Sequence, residues 1–272
     1  MDEKDVIYRY KYLPFDTGSL EVIKSGTIKF TNPLMFNDPF DCFPHYDQNA
    51  IDEIPSRRKD LLRAASRIRN LSPAQHIQNK RRIVSDFKRR VLDKSVPNSI
   101  LEKIGVLSLS RDPRNILMWS HYADFHKGFV VEFRIPTKLP DNTIGTIDEW
   151  LFPLKVNYSK ERPVFRFGLD DSETVMNNVL LTKYDVWKYE QEERVVDNDR
   201  GPGIHSYLRN NVLSSVIAGA KMSQESVREL SSVLDSVKNE IENDVKLYVA
   251  EQSERDYEIL IPDFPRSSVT ET

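Results

Sequence analysis

The stretch VIYRYKYL, residues 6–13, alternates aromatic and basic side chains with the two-residue period of a β-strand. Its tyrosines would cover one face of such a strand, while Arg9 and Lys11 would keep the other face wet. The next residues predict a short helix around 20–23, a turn at Ser25 and Gly26, and a second strand over 27–30. The chain therefore begins with a strand, a helix and a strand.

The middle of the chain alternates between helical and extended patterns. Apolar residues recur at helical intervals through residues 52–104, which predicts two or three helices. GVLSLS, residues 105–110, is typical of a strand. Asp112 followed by Pro113 favours a helix start, because aspartate caps free amides and proline loses nothing at the first helical position. We expect that helix to run to about Asp124.

The remaining patterns complete an α+β fold. FVVEF, LFPLKVNY and WKYEQEERVV, residues 129–133, 151–158 and 187–196, are interpreted as strands, and an amphipathic helix covers residues 225–245. Two short strands, VKLYVA and YEILIP, close the chain. The sequence therefore predicts one α+β domain over 1–272 with a central split or mixed β-sheet, a helical insertion at about 52–104 and a C-terminal amphipathic helix.

The composition excludes several classes of protein. The 272 residues are 39% hydrophobic and 30% charged, as in globular proteins, and no apolar run approaches the ~20 residues that a membrane span needs. The acidic start, MDEKDVIYRY, does not resemble a secretory signal. Cys42, the single cysteine, excludes an internal disulfide and suits a reducing compartment. We expect a cytoplasmic protein without membrane partners.

Charge is distributed unevenly along the chain. Residues 57–94 carry thirteen Lys or Arg against three Asp, a net +10, although the whole chain carries -3. Residues 222–272 carry twelve acidic and five basic residues, a net -7. A basic run of helices can bind nucleic acid, can pair with the acidic region of the same chain, or can be a solvated face.

The FNDPFDCF stretch, residues 36–43, sets acidic and amide side chains among three phenylalanines. Asp38, Asp41, Cys42 and His45 offer metal-binding atoms, but a tight turn in which Asn37 and Asp38 bond their own backbone is the favoured interpretation. The chain has no glycine-rich nucleotide motif, no Gly-x-Ser-x-Gly motif and no zinc-type Cys or His spacing. Kinases, P-loop NTPases and dehydrogenases are therefore excluded, and no metal site is predicted.

Two further segments carry candidate site residues. In MWSHYADFHKG, residues 118–128, His121 is either a satisfied core histidine or, with Tyr122, a donor that lines a ligand pocket. In WKYEQEERVV, a strand would place Glu190, Glu192 and Arg194 on one face. Carboxylates so placed can bind sugar hydroxyls and stabilise positive charge at an anomeric carbon, although charge-rich strand edges are also common.

Five motifs together carry a resemblance to a known family. YRYKYL, FNDPFDCF, LMWSHYADFHKGFVVEF, VNY and WKYEQEER occur in this order between residues 8 and 194. In this set the chain resembles the bacterial family called domain of unknown function 2971, whose members look like the abortive-infection protein AbiGi. The resemblance implies a toxin or phage-defence role, and an antitoxin or immunity protein as a partner.

A second resemblance implies an activity. A basic residue on the first strand, Ser-x-Ser on a middle strand and Glu-x-Glu on a late strand are similar to the Arg, Ser, Glu signature of ADP-ribosyltransferases. The matching residues here are Arg9, Ser108 with Ser110, and Glu190 with Glu192. The intervals are longer than in that signature, and the basic insertion separates the first two motifs. The resemblance implies an ADP-ribosyltransferase-like fold, NAD as the cosubstrate and Glu192 as the principal catalytic residue.

These patterns lead to one leading hypothesis and one rival. In the leading hypothesis Glu192, assisted by Glu190, cleaves NAD. The cofactor-binding residues would be Arg9 at the phosphates, Ser110 in support of the pocket strand, His121 and Tyr122 near nicotinamide, and Asn37 and Asp38 in the loop that shapes the pocket. The acceptor would be RNA or DNA held by residues 57–94. The rival is a non-catalytic protein that binds nucleic acid or a protein partner through the same basic segment.

Overall fold

The chain forms two compact units in a computed structural model that describes residues 5–68, 70, 72–138, 147–241 and 244–266. The first unit comprises 1–31, 105–156 and 186–272, and the second comprises 32–104 and 157–185. The predicted helical insertion falls inside the second unit, although its residues 69 and 71 lie outside the described part. Each unit is described by itself, and a single domain over the whole chain stays a prediction.

The described residues contain strands and helices throughout both units. The strands are β1 (Val6–Leu13), β2 (Thr27–Phe30), β3 (His45–Tyr46), β4 (Gly105–Ser110), β5 (Phe129–Pro136), β6 (Leu154–Lys155), β7 (Asn157–Ser159), β8 (Val164–Phe165), β9 (Thr182–Tyr184), β10 (Glu192–Asp197), β11 (Gly203–Ser206), β12 (Leu213–Ala218), β13 (Lys246–Val249), β14 (Glu251–Gln252) and β15 (Ile259–Leu260). The α-helices are α1 (Thr17–Lys24), α2 (Gln48–Arg57), α3 (Lys59–Ile68), α4 (Pro73–Leu92), α5 (Ser95–Leu101), α6 (Ile116–Tyr122), α7 (Ser172–Val175), α8 (Arg209–Val212) and α9 (Gln224–Val237).

A seven-stranded mixed sheet organises the first unit, in the order β13-β12-β5-β1-β4-β10-β6. β12 and β13 run parallel, and the other neighbouring pairs are antiparallel. β1 pairs with β5 along its whole length, from Val6 opposite Pro136 to Leu13 opposite Phe129. The strand that opens the chain is therefore interior to the sheet, and the mixed α+β class is confirmed.

Apolar layers cover both faces of this sheet. On one face, β5 side chains such as Phe129 and Phe133 pack with α1 and α9, whose buried residues include Leu20 and Leu230. On the other face, Tyr10 and Tyr12 of β1 pack with Trp119 of α6 and with the segment around β15. The sheet therefore has a largely aliphatic face and an aromatic face.

The second unit contains four consecutive helices, α2 to α5, the short helix α7, and two short parallel strand pairs, β3 with β8 and β7 with β9. Its aromatic core joins Tyr46, Phe165 and Phe167 to Phe87 of α4. The basic helices predicted within 52–104 are present, with one helix more than predicted. They begin earlier, because Asp47 caps α2 by accepting from the amides of Asn49 and Ala50.

Several predicted boundaries are wrong. The helix expected from Asp112 to Asp124 spans only α6, because Asn115 caps it and Asp112 instead accepts from the Arg114 amide in a turn. The strand expected over 187–196 is a 3-10 helix, Asp185–Glu190, followed by β10. Gln191, with φ 45°, separates the two elements. Of the expected C-terminal amphipathic helix, α9 is the helical part and ends at Val237.

None of the helices in the described part of the chain combines the length and apolar character that crossing a bilayer requires.

Candidate active site

A row of polar side chains crosses the aromatic face of the sheet. Glu192 lies opposite Ser110, which lies opposite Tyr10, which lies opposite Glu132 of β5, itself opposite Ser215 of β12. Directly opposed residues share a face, and neighbouring strands are about 4.8 Å apart. All five residues are buried. A buried polar row across five strands is unusual in a sheet core and marks this face as the candidate site.

Glu192 has a fixed orientation within this row. The guanidinium of Arg194 donates from Nε to Glu192 Oε1 at 2.8 Å and from Nη2 to Oε2 at 3.0 Å. The pair is almost fully enclosed, with 0% of Arg194 and 5% of Glu192 exposed. Such a bidentate pair sets both the charge and the direction of the carboxylate.

Glu190 occupies a different position from the one predicted. It ends the 3-10 helix before β10, so the strand period does not place it beside Glu192. Its carboxylate accepts from the Tyr122 hydroxyl at 2.7 Å, and its backbone carbonyl accepts from Ser110 Oγ at 2.7 Å. Glu190, Tyr122 and Ser110 are nevertheless brought together at the start of the Glu192 strand.

Arg9 contacts the neighbouring glutamate. Its Nε and Nη2 donate to the two oxygens of Glu193 at 2.5 and 2.8 Å. Glu193 lies opposite Leu109 of β4, which belongs to the aliphatic core, so this pair lies on the face away from Glu192. Successive side chains of β10 point to opposite faces of the sheet. Glu192 therefore lies on one face, and Arg9 with its partner Glu193 lies on the other.

Lys11 lies where β1 and β4 separate. Between these strands, both fully described, the registered pair is Tyr10 with Ser110. Lys11 Nζ donates across the gap to the Ser108 carbonyl at 2.9 Å. Burial lowers the pKa of Lys11 to about 8, against the raising effect of the Glu192 and Glu190 charges. No role was predicted for this lysine from the sequence, yet its charge interacts with those of both candidate glutamates.

An arginine-rich cleft of about 450 Å³ opens beside Tyr10, the middle residue of the polar row. Arg111 Nε and Arg266 Nε are buried and, among the described residues, make no hydrogen bond, although carboxylate oxygens of Glu193 and Glu132 lie 4.0 and 3.4 Å away. Guanidinium groups with unused donors suit a phosphate. The cleft is lined by Tyr8, Arg9, Tyr10, Arg111, Pro113, Pro265 and Arg266.

Glu132 anchors the floor beside this cleft. It accepts from the hydroxyls of Tyr10, Ser214 and Ser215 at 3.1, 2.7 and 2.9 Å. Burial, and then the charge of Glu132, raises the pKa of Tyr10 far above its usual value. Tyr10 is therefore a neutral hydroxyl, which donates to Glu132.

The two histidines near α6 differ in environment. His121 is exposed, with its ring 6.4 Å from that of Tyr189. His126 is buried, stacks on Trp119 at 6.3 Å, and lies 3.0 Å from Ser120 Oγ through Nε2. Burial lowers the pKa of His126. The core histidine is therefore His126, and His121 is an accessible side chain.

Asn37 and Asp38 belong to the second unit. Asp38 Oδ1 accepts from the Phe40 amide at 2.8 Å, and the Asp38 carbonyl accepts from the Asp41 amide at 3.1 Å. Asn37 is exposed. The FNDPFDCF stretch is thus a tight turn, as the favoured interpretation had it, and Asp38 bonds the backbone of that turn.

No site role was predicted from the sequence for four residues of this region: Lys11, Arg111, Glu132 and Arg266. Glu132 could have been found, because a lone carboxylate inside the apolar run FVVEF has to be paired when it is buried. Arg266 could not, since it is brought to the cleft from the far end of the chain. Its guanidinium carbon lies 3.5 Å from the centre of the Tyr8 ring.

Within the described ranges, no group of three or more His, Cys, Asp or Glu side chains is arranged to hold a metal ion. Comparisons of the chain with family models, with curated proteins and with solved structures give no match.

Proposed function

We propose that the chain is a cytoplasmic, NAD-dependent enzyme of the ADP-ribosyltransferase type, with an ADP-ribosyltransferase-like fold, that acts as a toxin or phage-defence protein of the domain of unknown function 2971 family. One observation carries the proposal. The three strands with the Arg, Ser-x-Ser and Glu motifs, β1, β4 and β10, are consecutive neighbours in the sheet, and Glu192 lies in register with Ser110 and Tyr10.

The dinucleotide would occupy the aromatic face. Its pyrophosphate carries two negative charges, and the cleft beside Tyr10 offers guanidinium donors from Arg111 and Arg266, while Arg9, which lines the same cleft, already donates to Glu193. Glu192 lies two strands from Tyr10 along the polar row, a separation of about 10 Å. The extended shape of a dinucleotide suits a site whose phosphate-binding and catalytic ends are separated in this way.

The chemistry assigned to Glu192 is charge stabilisation. The bond between the ribose C1′ and the nicotinamide nitrogen breaks, its electron pair leaves with nicotinamide, and the sugar carbon becomes cationic. A carboxylate held in place by Arg194 faces that charge without reorganisation. The acceptor then bonds to C1′ and loses its proton. Glu190, held by Tyr122, is assigned to the acceptor side.

The test is titration with NAD followed by measurement of nicotinamide release. Saturable binding in calorimetry and release that depends on Glu192 are expected. Expression in bacteria should slow growth for the wild type and not for Glu192→Gln, while Glu190→Gln should affect acceptor modification more than NAD cleavage. Absence of saturable NAD binding, or equal toxicity of wild type and Glu192→Gln, would overturn the proposal.

The rival, a nucleic-acid-binding protein without catalysis, is favoured by one observation. Arg81, Arg82, Arg89 and Arg90 of α4 are exposed. Reversing these four charges should weaken nucleic-acid binding at low salt, because fewer phosphates are neutralised. Binding without any NAD turnover would select the rival, and unchanged binding would identify the basic segment as a solvated face.

A further inference from the structure

The second unit contains a cavity of about 300 Å³ that the proposed NAD chemistry does not use. Its size is at the lower end of the range for small-molecule sites. One wall is the FNDPFDCF turn, and the other is the pair of strands β7 and β9 with the loop after β7. The lining residues are Phe40, Phe43, Pro44, Ser159, Lys160, Glu161, Arg162, Pro163, Asn178, Thr182, Lys183 and Tyr184.

Two aromatic rings stand exposed at the rim of this cavity. Phe40 is 61% exposed, and Tyr184 is also exposed. Phe40 is turned outward by the bonds that Asp38 makes to the Phe40 and Asp41 amides. Exposed rings around a concave surface are typical of a binding site, because an occupant would bury apolar area that folding left in water.

The two aromatic walls are fixed to each other. Asp41 directly follows Phe40, Lys183 directly precedes Tyr184, and the Lys183 Nζ lies 3.7 Å from Asp41 Oδ2 in a buried ion pair. This pair holds the backbones that carry the two rings. The segments that carry Phe40 and Tyr184 are therefore joined before any ligand binds.

Basic side chains outnumber acidic ones in the lining of the cavity, with Lys160, Arg162 and Lys183 against Glu161. Arg162 lies with its guanidinium carbon 5.6 Å from the centre of the Phe40 ring, and its Nε donates to the Phe43 carbonyl at 3.0 Å. Lys160 is exposed at the rim. An immobilised guanidinium over an aromatic ring is suited to a ligand that has both a planar π-face and a negative charge.

The cavity borders the end of the basic segment of the same unit. Lys94, the last residue of the +10 segment, lies with Nζ 4.7 Å from the centre of the Phe43 ring, and Phe43 lines the cavity. The segment before it includes α4 with its exposed arginines. Aromatic rings beside a basic track are the two elements that proteins use to hold single-stranded nucleic acid.

We propose that this cavity binds an unpaired nucleobase of a single-stranded nucleic acid, whose phosphates follow the basic surface of α4. Phe40 and Tyr184 stack on the base, and Lys160 contacts the adjacent phosphate. In naming the acceptor of the proposed transferase this assignment rests on the proposed function. The binding itself requires no NAD and no catalysis.

The experiment measures fluorescence anisotropy of a short labelled single-stranded oligonucleotide with the full chain in the absence of NAD. Phe40→Ala and Tyr184→Ala should each weaken binding about tenfold, the usual effect of removing one stacking ring. Phe40→Trp should restore binding, since a larger ring also stacks. Met35→Ala is the matched control, because Met35 is 76% exposed just before the turn and does not line the cavity.

Two further probes, a duplex and a free mononucleotide, test whether the cavity requires an unpaired base within a strand. A duplex of the same sequence should bind more weakly and should not respond to Phe40→Ala, because its bases are already stacked. Equal losses for single-stranded and duplex probes, or full affinity of both ring variants with unchanged thermal unfolding, would overturn the proposal. So would binding of adenosine monophosphate without binding of the oligonucleotide. Since NAD is absent, these outcomes are independent of whether Glu192 cleaves NAD.

Discussion

Glu192 and Glu193 are adjacent in the chain, and each is paired with an arginine, yet the two pairs differ in what they can do for the fold. Glu193 bonds Arg9 across the sheet, over 184 positions of sequence. Glu192 bonds Arg194, two positions along its own strand. A pair between distant strands restrains the fold, whereas residues two apart on one strand are neighbours already.

This difference bears on the role of each glutamate, in stabilising the fold or in the proposed catalysis. Burying charges costs free energy that an ion pair only partly returns. The cross-sheet pair of Arg9 and Glu193 offsets part of this cost, because it joins β1 to β10. The pair of Glu192 and Arg194 is more deeply buried, and its two hydrogen bonds join residues of the same strand. Under the proposed function catalysis is assigned to Glu192, and the cross-sheet pair of Glu193 with Arg9 is assigned to support of the fold.

The largest expected effect is on turnover. Glu192→Gln keeps the shape of the side chain and removes its charge, so nicotinamide release by folded molecules should fall on the order of a hundredfold or more, while NAD affinity persists. The variant should also be less stable, because Arg194 stays buried without its carboxylate. Glu193→Gln should change release only a few-fold and should instead lower stability. Release assays and chemical denaturation of both variants give the comparison. If Glu193→Gln lowered nicotinamide release more than Glu192→Gln did, the catalytic carboxylate would be Glu193, on the face that carries Arg9.

The next effect is on stability. Arg194→Met leaves Glu192 buried without its guanidinium and should cost about 3–5 kcal/mol of unfolding free energy. Arg9→Met should cost less, about 1–3 kcal/mol, because water reaches that pair and replaces part of the interaction. Urea unfolding measures both, with exposed Arg228→Met as the control. Equal losses would mean that the two pairs support the fold alike.

The smallest effect concerns pH and Lys11. Its pKa is about 8 in the folded protein and 10.5 in the unfolded chain, so between these values the unfolded state binds more protons. Below pH 8 the burial cost is fully present, and stability should rise by about 1 kcal/mol from about pH 8 to 9. Lys11→Met should lose this rise in urea titrations kept below the range where tyrosines ionise. A wild-type profile that is flat or falling would show that Lys11 titrates normally.

Local patterns were sufficient for much of the sheet. The bounds of β1, β2 and β4 were predicted correctly, because alternation of side chains is set by neighbours in sequence. The stretch before β10 was predicted wrongly, because distant groups fix it. Asn115 Nδ2 donates to the Tyr189 carbonyl, and Ser110 Oγ donates to the Glu190 carbonyl.

The candidate site shows the same limit. Spacing identified the motif residues, but it could not say which glutamate Arg9 would bond, because that depends on which face of β10 each glutamate occupies. A one-residue shift in the register of β10 against β4 would reverse that assignment. The strand was expected from residue 187 and begins at Glu192. The roles of Glu192, Ser110 and Arg9 toward NAD stay predictions that the experiments above address.

The full-length pairing of β1 with β5 also sets when the sheet can be completed during synthesis. β1 cannot be completed in the sheet until residues 129–136 exist, and Arg9 meets Glu193 only after 184 further positions. Ribosomes add about 5–20 residues per second, so roughly 10–40 s pass between synthesis of Arg9 and synthesis of its partner. During that interval the row that ends in Glu192 is incomplete. Under the proposed function, a growing chain would therefore be inactive until β10 has been made, and a neutralising partner would be needed only from that point.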